Sequence, residues 1–123
     1  MKYCVHFIFK DNKVLLLKRT LTNPFYPGIW TPVVGKIKLN EDPNLAVVRE
    51  TKEETSIQLD NFQFVKHCSF NHDAYWFYRS KTKASDISLN HENDYFDFFE
   101  KNYLPENLWS FFKAELKDLW LLS

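Results

Sequence analysis

Glu50, Glu53 and Glu54 stand together in GKIKLNEDPNLAVVRETKEETSI, the stretch from Gly35 to Ile57. Inside one helix, residues at these spacings fall within an arc of about 100° on a single face. Like charges placed so destabilise an isolated helix by a few tenths of a kcal/mol per pair. The pattern therefore asks for a cation opposite, and a hard divalent metal suits carboxylate oxygens best. Asp42 followed by Pro43 reads as a cap and first helical residue. That order predicts a helix from about Pro43 to Thr55, with Leu45 and Val48 toward the core and the carboxylates on another side. A solvated, Glu-rich helix is the alternative account of such a charge run.

The stretch resembles the Nudix box, with Gly35, Glu41, Arg49, Glu50, Glu53, Glu54 and Ile57 in register. Thr51 stands where an apolar residue is usual, and Ser56 where a second glycine is usual. The resemblance implies an α/β/α Nudix fold, a mixed sheet held between helices, and hydrolysis of a phosphoanhydride with Mg2+, or Mn2+ in its place. It implies that the Gly35 carbonyl, Glu50, Glu53 and Glu54 face the metal, with Glu53 and Glu54 the firmest ligands and Glu50 either a ligand or the base. It also implies that Arg49 and Glu41 pair to fix the loop against the helix. His91-Glu92, with Tyr95 shortly after, looks like the family segment that brings one more carboxylate to the metals, and Glu92 is the residue expected there. A solvated loop acid is the alternative for Glu92. Val34, Lys38 and Asn40 also depart from common family residues. Asn40 is the mildest departure, since Asn tolerates a positive φ.

Composition bounds what surrounds this site. One domain is expected from 123 residues, with a core rich in Phe, Trp and Tyr because aromatics make up 18%. Lys plus Arg equals Asp plus Glu at 16 each, which argues against a grip on long nucleic acid but leaves free nucleotides open. Cys4 and Cys68 lack metal-ligand spacing and read as reduced thiols, pointing to a cytoplasmic protein. No apolar run approaches the roughly 18 residues of a membrane span, and no secretion signal is apparent in MKYCVHFIFK. A monomer and a homodimer both fit this composition.

The elements that must position the carboxylates follow from periodicity. Residues 3 to 9 alternate as a strand with one face more apolar. Asp11, Asn12 and Lys13 make a turn, and Val14 to Leu17 reads as a strand buried on both faces. Residues 21 to 29 form a loop, and Trp30 to Val34 resumes strand character, interrupted by Pro32. Phe62 to Phe70 and Ala74 to Tyr78 form a hairpin around Asn71-His72-Asp73. A loop from Lys81 to Asn90 precedes a closing strand, Tyr95 to Phe99. Pro105 is expected to begin the last helix, whose stripe Leu108, Phe112, Leu116 and Leu119 packs on the sheet. His6, His67 and His72 show no ligand spacing and read as structural or surface residues.

Substrate contacts are expected outside the box. Arg19, at the polar end of its strand, offers a planar fork suited to phosphate oxygens, although an ordinary surface arginine fits the position equally. Leu104-Pro105-Glu106-Asn107 resembles the segment of MutT-type nucleoside triphosphate pyrophosphohydrolases in which an asparagine reads the base edge. Asn107 is that asparagine, or simply a residue of a helix's first turn. Trp30-Thr31-Pro32, Arg49-Glu50-Thr51 and His91-Glu92 resemble asymmetric diadenosine tetraphosphate hydrolases instead, with Tyr75 as the candidate adenine stacker. A core position is the alternative for Tyr75. A small-molecule nucleotide is the expected partner under either resemblance, and a nucleotide-binding domain that has lost turnover is the third reading.

Overall fold

The computed structural model describes residues 1–24 and 26–120. Two strands open the chain, β1 (Lys2–Lys10) and β2 (Lys13–Arg19). They are joined by Asp11 and Asn12 at φ 51° and 63°, the paired left-handed residues that a tight hairpin turn demands. The two strands pair only near that turn, Phe9 with Val14 and Lys10 with Lys13. Beyond it they part, and β3 (Trp30–Thr31) and β4 (Val33–Lys36) take over their facing edges. β3 pairs with β2 and β4 pairs with β1. Pro32 sits between the two ladders, where its missing N–H costs no sheet hydrogen bond.

Helix α1 (Pro43–Thr55) follows, then the hairpin of β5 (Gln63–Phe70) and β6 (Asp73–Lys81), whose turn residues Asn71 and His72 again have positive φ. β6 runs parallel to β1, and every other pairing in the sheet is antiparallel. β7 (Asn93–Phe99) joins β2, and a short 3-10 turn over Lys101–Tyr103 leads to α2 (Ser110–Trp120). The expected mixed sheet between helices is therefore present.

Alternation along β1 supplies both faces. Val5, Phe7 and Phe9 join Val14, Leu16, Tyr75 and Phe77 beneath Leu108, Phe112, Leu116 and Leu119. Each such aliphatic or aromatic side chain contributes about 1.5–3 kcal/mol on burial. The opposite face carries Cys4, Ile37 and Tyr78 with Ala46 and Val47 of α1, next to Ile8, Leu15, Leu17, Val33 and Ile57.

Two expectations change here. Leu45 is 65% exposed, and Ala46 and Val47 are the core residues of α1, with Val48 only half-buried against them. The last helix begins at Ser110 rather than Pro105, so Leu108 reaches the core from the preceding turn, where it bridges to Trp30. Apolar burial holds α1 with two small residues, and polar contacts complete the docking. Thr51 Oγ1 and Ser80 Oγ each lie 2.8 Å from a ring nitrogen of buried His6. Tyr78 Oη donates to Asn44 Oδ1 at 2.7 Å. The polar residue at position 51, where an apolar one is usual, is thus matched by a polar strand residue beneath it.

Candidate functional site

The site is built where α1 crosses the end of β4. At the helix start the Asn44 N–H donates to Asp42 Oδ1 at 2.7 Å, as a capping aspartate should. At its end Ser56 adopts φ 67°, and its N–H donates to the Lys52 carbonyl at 2.9 Å. The helix therefore closes as it would with glycine, at the cost of holding serine in a left-handed conformation. Asn40 likewise has φ 63°.

Gly35 is paired with Cys4 on the α1 face of the sheet. A Cβ at Gly35 would lie 2.0 Å from Glu50 Cδ, so only glycine lets the helix carboxylate rest against the strand. Arg49 spans the entry loop and the helix. Its Nε and Nη2 donate to the two carboxylate oxygens of Glu41 at 2.8 and 2.9 Å, and Nη2 also donates to the Lys36 carbonyl at 3.0 Å. Nη1 reaches Glu50 at 2.7 Å and Glu53 at 3.2 Å. The Arg49 hydrogen bonds, with a bond from the Lys38 N–H, hold the Glu41 carboxyl down at about 2.

Glu54 is 1% exposed. Its Oε1 accepts from Asn93 Nδ2 at 3.4 Å, and its Oε2 has no partner. Burial, then the charges of Glu50 and Glu92, push its carboxyl well above the usual range. Burial also raises Glu50, against the opposing pull of Arg49. A buried acceptor left unsatisfied costs about 1–3 kcal/mol, more when charged. A positive charge set between these oxygens would offset that cost. Among the described residues, no three His, Cys, Asp or Glu side chains form a cage on their own. Magnesium does not require one, because it keeps waters and takes substrate phosphates as ligands. The donor set therefore fits such a cation.

Of the expected site residues, Gly35, Glu41, Arg49, Glu50 and Glu54 are brought together, with Glu53 at the rim, its side chain 50% exposed. Glu92 is near enough to act on Glu54 electrostatically. Its carbonyl accepts from the Thr20 N–H at 3.1 Å, which ties its loop to the end of β2. Arg19 is paired with Asn93 across β2 and β7 and so shares the α1 face. Asn107 lies before α2, not in its first turn, and donates from Nδ2 to the Gly28 carbonyl at 2.9 Å. Tyr75 is not placed to stack a base. It is 5% exposed, on the opposite face, with its ring 5.4 Å from Tyr3 and 5.0 Å from Phe111.

Asn93 escaped the sequence reading. Its one signal was its place directly after Glu92. A recess of about 440 Å³ lined by Lys18, Trp30, Asp94 and Tyr95 opens beside the same end of β2 and β7, on the α2 face. Another of about 460 Å³, lined by Lys101, Asn102, Leu104, Lys113, Lys117 and Asp118, contains none of the site residues.

A carboxylate-bearing helix laid on a glycine strand, within a mixed sheet between two helices, defines a class of hydrolases acting on pyrophosphate linkages. Residues 3–121 match the model of the NUDIX domain, and the chain belongs to that family. Among solved structures it resembles a MutT NUDIX hydrolase from Burkholderia pseudomallei, at 22% identity and TM-score 0.83, over 94% of this chain and 95% of that one. It also resembles a C. elegans Ap4A hydrolase, at 21% identity and TM-score 0.77, over 98% and 96%. A third is the NUDIX domain of Shewanella oneidensis NrtR complexed with ADP ribose, at 16% identity and TM-score 0.74, over 97% and 88%. A search of the curated proteins by sequence found no match. Among the described residues, no helix is long and apolar enough to cross a membrane.

Proposed function

We propose that the chain is a magnesium-dependent pyrophosphohydrolase that cleaves a nucleoside triphosphate, or a related nucleoside diphosphate derivative, to a nucleoside monophosphate and pyrophosphate or its equivalent. The observation that carries this reading is the buried Glu54 carboxylate with an unpartnered oxygen, beside a Glu50 that rests on Gly35. Glu53, Glu54, Glu50 and the Gly35 carbonyl hold the cation, with Glu92 adding charge from the neighbouring loop. When bound, the cation neutralises phosphate oxygens and acidifies water beside it. Glu50 either shares the cation or takes the proton of the attacking water. Attack forms a new oxygen–phosphorus bond as the bridging bond breaks, and the leaving phosphate departs with its charge balanced. Arg49 and Glu41 keep Glu50 in place, Arg19 meets phosphate oxygens, and Asn107 meets the base edge. The resemblance of Leu104-Pro105-Glu106-Asn107 to the MutT-type segment supports this substrate class.

A second reading, an asymmetric dinucleoside polyphosphate hydrolase, is favoured by the recess lined by Lys18, Trp30, Asp94 and Tyr95, where the edge-to-face Trp30–Tyr95 pair offers an aromatic surface and Lys18 a charge to a second nucleoside. It also draws on the likeness to an Ap4A hydrolase. The deciding experiment is product analysis after incubation with Mg2+ and a panel of triphosphates, dinucleoside polyphosphates and nucleotide sugars. Monophosphate plus pyrophosphate from a triphosphate supports the first reading. Triphosphate plus monophosphate from diadenosine tetraphosphate supports the second. Nucleotide bound with metal and released intact would overturn both in favour of a sensor. Loss of cleavage in Glu53→Gln and Glu54→Gln, with the fold retained, is expected.

A further inference from the structure

We infer that Asn93 is a positioning residue of the cation site, orienting Glu54 through its Nδ2 and presenting its own Oδ1 to a water held there. This rests on the cation reading above. Asn93 is 3% exposed, and its Oδ1, like Glu54 Oε2, is a buried oxygen with no hydrogen-bond partner. Nδ2 lies 3.4 Å from Glu54 Oε1, the orientation an ionised Glu54 requires, since the reverse would set two acceptors against each other. With Glu54 ionised, two buried oxygens without partners, one on each member of a single contact, call for a donor or a cation from outside the protein.

The backbone gives an independent reason. β7 sends Phe96 and Phe98 toward the α1 face, where they pack beside Leu15 and Leu17. Strict alternation would put Asp94 next on that face. The register instead slips between Lys18 and Arg19, so that Tyr95 pairs with Lys18 and Asn93 with Arg19. This bulge takes Asp94 out of line and sets a neutral amide opposite Glu54, as bulges beside functional sites often re-aim a side chain. An aspartate there would add a like charge to Glu50, Glu54 and Glu92. An amide adds an oxygen without the charge and a donor that fixes one oxygen of Glu54, leaving the other to face the cation.

The test is Mn2+ binding to the substrate-free protein by electron paramagnetic resonance, with kcat and KM measured in parallel. Asn93→Ala is expected to weaken Mn2+ affinity by roughly 10–100-fold, the usual effect of losing a partner that orients a metal ligand. It should lower kcat with KM for nucleotide nearly unchanged. Asn93→Ser, whose hydroxyl can donate and accept, should recover part of the affinity. A lowered melting temperature with Mn2+ affinity within threefold of the unsubstituted protein would show a merely structural role and overturn the inference. If Asn93→Ala does not fold, Asn93→Ser decides alone, and unchanged affinity in it overturns the inference. An unsubstituted protein that binds no Mn2+ overturns this and the proposed function together. One that binds Mn2+ while Asn93→Ala is unaffected overturns only this.

Discussion

Replacing Gly35 by alanine is the sharpest perturbation of the site, because its effect is set by one contact. The added Cβ would meet Glu50 Cδ at 2.0 Å and both Cγ and Oε2 at 2.3 Å. Carbon atoms in contact prefer about 3.5–4.0 Å, so the Glu50 side chain must retreat by roughly 1.5 Å or β4 must lift from the helix. The φ of Gly35 lies outside the left-handed region, so alanine imposes no backbone strain. What changes is the carboxylate's position and its 2.7 Å bond from Arg49. A misplacement of about 1 Å in a reacting group can cost 10²-fold in rate. Overpacking of this kind costs about 1–3 kcal/mol of stability. Gly35→Ala is therefore expected to keep its fold by circular dichroism and melt about 5–10 °C lower. Its kcat for the best nucleotide with Mg2+ should fall by about two orders of magnitude. A folded variant whose kcat stays within threefold of the parent would refute the reasoning, because Glu50 would then not need its place against the strand.

Further outcomes follow from buried groups. The Glu54 carboxyl is raised by burial and by neighbouring acids, so its contribution to metal-free stability is full below about pH 4.5 and lost as pH rises through the folded value. Glu54→Gln should then be more stable than the parent at pH 8 in chelator, while losing hydrolysis. Chemical denaturation at pH 5 and pH 8 checks this, and an equal difference at both would count against it. His6 acts in the opposite sense. Burial pushes its imidazole down to about 3, so the stability it lends is present above its unfolded value near 6.5 and lost as pH falls toward 3. At pH 5 the loss is about 2 kcal/mol. His6→Gln should flatten that acid limb, read as the difference between variant and parent melting curves across pH 7 to 5. Ser56→Gly relieves a left-handed serine at φ 67° but loses the Ser56 Oγ bond to the Ser88 carbonyl. A net gain of about 1 kcal/mol is expected. A lower melting temperature would show that the hydroxyl bond outweighs the strain.

The short-range features of this protein were legible in its sequence. Asp42 and Pro43 set the start of α1, and the helix runs over Pro43–Thr55 as expected. Asp11, Asn12, Asn40 and Asn71 take positive φ where turns need it, because their short polar side chains tolerate it locally. The box spacing brought Gly35, Glu41, Arg49, Glu50 and Glu54 into one place, since a helix and the loop before it relate those residues by nearly fixed geometry. Capping, turn sterics and helical phase all act over a few residues, so one sequence window contains their cause.

Tertiary structure decided what depends on partners distant in the chain. Leu45 faces solvent because the small residues Ala46 and Val47 let α1 lie close on the sheet, with His6 and Ser80 receiving Thr51. Tyr75 was available to stack a base until α2 covered its face with Phe111 and Phe112. Pro105 did not start a helix, because the turn before Ser110 first bonds back to the loop, Trp30 N–H to the Asn107 carbonyl and Asn107 to Gly28. Asn93 reached Glu54, 39 residues away, only through a one-residue bulge that alternation alone would not place. Burial and hydrogen bonding across such separations depend on how whole elements pack, and no local spacing records them.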